Sequence, residues 1–240
     1  MVAPRLHGKD APLVGDEPMV EEFRTPKGKA MLMAVRPGTA DHNNVFSCAT
    51  EDEYRLRDLE LDAGTALDIG AHIGGVAVSL ALDHPAARII AVECLSANID
   101  LLRQNVLRNG VADRVSILHA IAGAKHGKGT VRWNFAGGES AQHHRFIANV
   151  GGVAHTGADE EEVERVTLAD LATDEIDFIK IDCEGGEYDF LRGSALGRVR
   201  EIRGEFHAGF DRLVEQLDVT HLVTLTSGTE GFGGFRALRR

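Results

Sequence analysis

Residues 65–75 read Thr65-Ala66-Leu67-Asp68-Ile69-Gly70-Ala71-His72-Ile73-Gly74-Gly75. A short apolar run meets three glycines, and Val76 to Leu82 then carries helical periodicity. This predicts a strand, a tight turn and a helix N-terminus. Glycine suits the turn because the backbone must bend sharply and admit a ligand closely. One strand further on, Ile89-Ile90-Ala91-Val92-Glu93 ends in a carboxylate. In a nucleotide-binding βαβ unit an acid at that point accepts hydrogen bonds from ribose hydroxyls. The stretch therefore predicts a site for an adenosine-containing cofactor. The dinucleotide pattern G-x-G-x-x-G fails, because His72 stands at its third position, and the chain has no P-loop sequence. The form Asp-x-Gly-x-x-x-Gly-Gly suits a cofactor without a pyrophosphate, with the loop facing an amino-acid group instead.

Outward from this stretch the chain reads as alternating strands and helices. Strands are expected at 65–69, 88–93 and 114–119, with helices from about Gly74 to Leu82 and from Ser96, as N-cap, to Gly110. A strand at 176–182 leads into Cys183-Glu184-Gly185-Gly186-Glu187, and another covers 199–207. A helix near 211–217 and strands near 221–226 and 234–239 close the chain, the two strands as an antiparallel hairpin. On the N-terminal side, 22–25 and 30–35 flank Pro26 and Gly28 and read as a β-hairpin, after a loosely packed segment to about residue 20. Residues 41–59 are expected as short helices across the edge of the main sheet. The stretch 123–162 breaks the rhythm and reads as a loop-rich insertion, with one strand at 130–133 and a solvated acidic turn at Asp159 to Glu162. Division into an arm of residues 1–60 and a domain of residues 61–240 follows.

Composition narrows the partners. A net charge of −11 over 240 residues argues against a phosphate-binding surface and so against a nucleic-acid acceptor. Cys48, Cys94 and Cys183 are scattered, which suggests neither a disulfide framework nor a zinc knuckle. No run approaches the ~18 apolar residues of a membrane span, and the first ten residues lack the apolar core of a signal peptide. A cytoplasmic protein that does not bind membranes is the expectation.

Asp68-Ile69-Gly70-Ala71-His72-Ile73-Gly74 resembles the first motif of class I S-adenosylmethionine-dependent methyltransferases, and Glu93 resembles their ribose-binding acid. Three more stretches are similar to signatures of the FkbM methyltransferase family. They are Arg36-Pro37-Gly38-Thr39-Ala40-Asp41 with Tyr54, then Asp177 to Glu187, then Gly204-Glu205-Phe206-His207. They occur in order over roughly residues 30–210. Two positions depart from the pattern: His72 stands where asparagine is usual, and Cys94 where proline is.

The resemblance implies an α/β fold, a doubly wound Rossmann-like sheet, with S-adenosyl-L-methionine beyond the carboxyl ends of its strands. It implies cofactor contacts from Asp68, Gly70, Ala71, His72, Gly74, Glu93, Cys94, Ala120, Ile121 and Asp182. His207 is the expected base, with Asp182 and Glu205 orienting or replacing it. Tyr54, Glu184, His143 and His144 are expected on the acceptor side, and Glu187 as a cap or lining of the helix that follows it. Asp182, Glu184, Glu205 and His207 have the residue types of a hard-metal site, so Mg²⁺ is allowed but not expected. The expected reaction is O-methylation of a small molecule or sugar. N-methylation of a peptide-like metabolite and a non-catalytic cofactor-binding scaffold stay open as alternatives, as does a homodimer.

Overall fold

The computed structural model describes residues 17–133, 147–148 and 159–240. His143, His144, His155 and the first sixteen residues lie outside them. The chain opens with the hairpin β1 (Met19–Arg24) and β2 (Ala30–Val35), antiparallel as expected. A short helix α1 (Asp41–Val45), a π-helical turn (Phe46–Thr50) and a 3-10 turn (Leu56–Asp58) follow. Then come β3 (Thr65–Ile69), α2 (Gly75–Asp83), β4 (Arg88–Glu93), α3 (Ser96–Arg108), β5 (Val115–His119) and β6 (Ile121–Ala122). β7 (Lys128–Trp133), β8 (Ile147–Ala148), β9 (Asp159–Val166), α4 (Leu168–Leu171) and β10 (Ile176–Ile181) continue the chain. It ends with α5 (Glu187–Phe190), β11 (Val199–Phe206), α6 (Phe210–Leu217), β12 (His221–Leu225) and β13 (Gly233–Arg239).

The main sheet has seven strands in the order β12-β13-β11-β10-β3-β4-β5. The five strands from β11 to β5 run parallel, and β13 and β12 are added antiparallel. From β3 the order runs outward in sequence through β4 and β5, whereas β10 and β11 lie on its other side. The junction of β3 and β10 is therefore a topological switch point, where ligands bind in open α/β sheets.

Alternation along the strands sorts the core onto two faces. Leu67, Ile69, Ile179 and Ile181 pack with Tyr188, Phe190, Phe206 and Leu213 on one. Ala66 and Phe178 pack on the other with α2, α3 and the hairpin residues Phe23, Met31 and Met33. Thus the described part of the arm shares a hydrophobic cluster with the main sheet.

Three local expectations are corrected. The acidic residues Asp159 to Glu162 are not a turn: they begin β9, which pairs with β7 and β6 in a separate four-stranded sheet. Ser96 does not cap α3. Its amide donates to the Glu161 carboxylate, so a side chain from the second sheet satisfies that helix end. Residues 41–58 do not lie across the edge of the main sheet. Tyr54 reaches Asp182 at the end of β10, and Arg203 in mid-sheet donates to the carbonyls of Tyr54 and Arg55. The segment thus forms a wall over the switch point. No helix among the described residues is long and apolar enough to cross a membrane.

Candidate active site

A cavity of about 630 Å³ opens at the carboxyl ends of β3, β4 and β10, within the ~300–1,000 Å³ range of small-molecule sites. Gly70, Ala71 and His72 line it, with Glu93, Cys94 and Asn98. Asp182, Glu184, Glu205 and His207 line it too, as do Glu53, Tyr54 and Lys180. Asp68, Gly74, Ala120 and Ile121 do not line it. Asp68 is fully buried behind the turn. Gly74 adopts the left-handed start of α2, where a side chain would strike Leu102. Ile121 packs against Val131 and Val163.

Gly70, at φ +75°, makes the sharp bend expected of it. A Cβ there would also overlap the carbonyl oxygen of Asp182, and one on Gly75 would strike the Cys48 sulfur, so close approach of other segments excludes side chains as well. The turn nevertheless presents its backbone to the cavity.

His72 has φ +50°, the left-handed region in which asparagine is also tolerated. This gives a backbone reason why either residue fits the position. Its Nε2 lies 3.1 Å from Asp41 Oδ1. Asp41 is fully buried and accepts from the Arg36 amide, Nε and Nη2 at 2.8–2.9 Å. Burial works against its ionisation, but His72 and Arg36 overcome this and hold the carboxyl well below the usual range. Arg36 also donates to Asn98, and Asn98 to Glu93. The Arg36-to-Asp41 stretch thus clamps the arm to the glycine turn.

Glu93 is equally committed. Its Oε2 accepts from the His72 amide at 2.9 Å, and its Oε1 from the Leu95 amide and Asn98. Of about four acceptor positions on a carboxylate, roughly one is left for a ligand hydroxyl.

Tyr54 donates to Asp182 Oδ2 at 3.0 Å. Glu205 is the last residue but one of β11, and His207 lies just past the strand rather than within it. His207 Nδ1 donates to Glu187 Oε1 at 3.1 Å, and Nε2 lies 3.6 Å from Glu184 and 3.7 Å from Glu205. Glu187 is fully buried and also accepts from the Cys183 and Gly185 amides. It therefore braces the loop after β10 and orients His207, in place of the helix-capping role expected of it.

These contacts reverse the protonation expected of the pair. Burial tends to lower the His207 pKa, but the Glu187 hydrogen bond and charge, with Asp182 and Glu184, raise it to about 9. Burial, then Asp182 and Glu53, pushes the Glu205 carboxyl up to about 7. At neutral pH His207 is an imidazolium and cannot accept a proton. Glu205 is the group that titrates near neutrality.

Asp182, Glu205 and His207 each offer a ligand atom within 4.8 Å of the others, a grouping that can accommodate a metal ion. Binding there requires neutral imidazole, whereas the raised pKa makes His207 itself the cation that these carboxylates share. Dialysis against EDTA, followed by millimolar Mg²⁺, is expected to leave the thermal midpoint unchanged. A midpoint that rises with Mg²⁺ would assign the cluster to a metal.

Sequence reading missed Lys180, Glu53, Asn98 and Phe232 on the cavity wall. Lys180 and Glu53 had a signal in hindsight, being charged residues beside the Asp182 and Tyr54 positions already singled out.

The methyltransferase FkbM domain model matches residues 68–221. No curated protein matches the chain in sequence. Among solved structures, the chain is similar to the Thermus thermophilus 16S rRNA N2 G1207 methyltransferase in complex with AdoMet and guanosine. Identity is 14%, the TM-score 0.50, and the match covers 97% of this chain and 53% of that one, about half its length. It is also similar to precorrin-6y C5,15-methyltransferase from Geobacter metallireducens, at 16% identity and TM-score 0.44, over 75% of this chain and 82% of that one. Identities this low speak to fold alone. The family model matches more than half of the chain, and the chain belongs to the FkbM methyltransferase family. The matched model is that of a methyltransferase domain.

Proposed function

We propose that this enzyme methylates a hydroxyl of a small molecule or sugar. The observation that carries the reading is the convergence of Glu205, Asp182 and His207 in a cavity that the glycine turn also lines. Bound there, S-adenosylmethionine supplies an electrophilic methyl group on a sulfonium. The residues fit such a ligand: the Gly70–His72 backbone faces the cavity, Glu93 keeps an acceptor position for ribose, and the carboxylate-rich wall suits a cationic centre.

The rest of the chemistry belongs to the side chains. Glu205 is placed to take the proton of the acceptor hydroxyl. Tyr54 fixes Asp182 through its hydroxyl, and Asp182 orients the acceptor. His207, held by Glu187, keeps its charge beside Glu205 and so keeps the carboxylate in place. The wall of residues 41–58 closes over the switch point and excludes water. Division of the chain into an arm to residue 60 and a catalytic domain beyond it belongs to the same reading.

An amine acceptor is the second reading, favoured by the carboxylates Glu53, Asp182, Glu184 and Glu205 on the cavity wall, which would hold an ammonium. Thermal shift with S-adenosylmethionine, S-adenosylhomocysteine and NAD, then transfer assays on sugar, polyol and amine panels, test both. Expected are a raised midpoint with either adenosyl compound, none with NAD, and methyl transfer to hydroxyls. Transfer confined to amines would replace the main reading with the second. Binding without transfer to any acceptor would favour a scaffold.

A further inference from the structure

Lys180 is the last residue but one of β10, in register with Asp68 of β3. Both side chains lie on the sheet face that also carries Phe178 and Ala66, under α2 and the wall of residues 41–58. The Lys180 side chain is 6% exposed and that of Asp68 0%, with Nζ 3.5 Å from Asp68 Oδ1. Burial pushes the Asp68 carboxyl up, and Lys180 and then the Ala77 amide in the first turn of α2 only partly offset this. Burial opposes the charge on Lys180, but Asp68 and then Asp182 override it and raise the pKa above that of free lysine.

The ammonium does more than neutralise its neighbour. It donates to the Gly70 carbonyl oxygen at 2.9 Å. It also lies 5.3 Å from the centroid of the Tyr54 ring, whose hydroxyl holds Asp182. Gly70, Tyr54, Lys180 and Asp182 all line the cavity, whereas Asp68 stands behind it. A buried ion pair that served stability alone could be exchanged for apolar residues at little cost. Lys180 instead joins the cofactor turn to the acceptor wall.

We propose that Lys180 is the positioning residue of this site: it fixes the glycine turn against the Tyr54–Asp182 wall, so that the cofactor lies in register with the acceptor. This rests on the reading of the cavity as the S-adenosylmethionine site. Alignment errors of about 1 Å can cost ~10²-fold in rate, which gives such a clamp a function.

Two variants separate positioning from stability. D68L/K180M removes the buried charge together with its partner, so no uncompensated ion remains. K180R keeps the charge, but its longer planar group cannot reproduce a point contact with one carbonyl. Affinity for S-adenosylhomocysteine is read by calorimetry, beside the thermal midpoint of the unliganded protein. Expected is a loss of about tenfold or more in affinity for both variants, with midpoints close to that of the parent. Parental affinity in either folded variant would overturn the proposal. Should D68L/K180M not fold, K180R decides alone. A parent protein that fails to bind S-adenosylhomocysteine would instead overturn the reading of the cavity, and the positioning role with it.

Discussion

Replacing Glu205 with glutamine is expected to lower turnover ~10²- to 10⁴-fold, the range for loss of a positioned general base. S-adenosylhomocysteine affinity is expected to stay within about threefold of the parent, because the change retains shape and removes only the proton-accepting charge. The argument rests on which group is unprotonated at neutral pH. His207 donates Nδ1–H to a fully buried carboxylate and faces two more through Nε2, so it holds its proton until pH rises through about 9. Glu205 gives up its proton near 7, because burial and Asp182 destabilise its anion. The parent rate should therefore rise as pH increases through about 7 and fall as it passes about 9, where His207 loses the charge that steadies Glu205. These groups interact, so both limbs report the cluster as a unit. A Glu205→Gln variant within about threefold of parental turnover would remove Glu205 as the base, and a rate that rises only above pH 9 would return that role to His207.

Gly70→Ala is expected to cost about 2–5 kcal/mol of stability, from overpacking of ~1–3 kcal/mol and a left-handed penalty of ~1–2 kcal/mol. The added Cβ has nowhere to go. It points at the Asp182 carbonyl oxygen, just past the strand paired directly with β3. Relief requires the turn to move away from β10, and the Gly70 carbonyl held by Lys180 would move with it. A fall of roughly 10 °C in midpoint should therefore accompany loss of measurable S-adenosylhomocysteine binding. Circular dichroism melts and calorimetry read the two separately. An alanine variant that melts with the parent would show that the two strand ends part without cost. One that melts early but binds normally would detach the turn from cofactor recognition.

What was legible along the chain was what depends on neighbours in sequence. The strand–turn–helix at 65–82, the hairpin at 22–35 and the terminal antiparallel strands each follow from apolar periodicity and glycine placement over a few residues. So does the position of Glu93, one strand beyond the turn. Illegible were interactions set by sheet register. Asp68 and Lys180 are 112 positions apart and become partners only because β3 and β10 are adjacent. Arg203, one strand further on, is in register with Lys180 and takes the carbonyls of Tyr54 and Arg55. That contact places the wall over the switch point. Ser96 read as a helix cap because a local rule favours serine there, yet a carboxylate from β9 does the work.

By itself, then, the sequence determined the fold class, the glycine turn, the membership of a methyltransferase family and the set of carboxylates and histidines that could do chemistry. How those side chains meet was decided by the tertiary structure. Glu187, 20 positions from His207 in sequence, holds its proton, and in the proposed mechanism the base role therefore falls to Glu205. The glycines of the turn answer to Asp182 and Cys48, and Asp68 stands behind the cavity with Lys180 as its counter-charge. The physical reason is common to all of these. Charge state and steric tolerance depend on what lies within a few ångströms in space, and only the packing of strands and loops sets that distance.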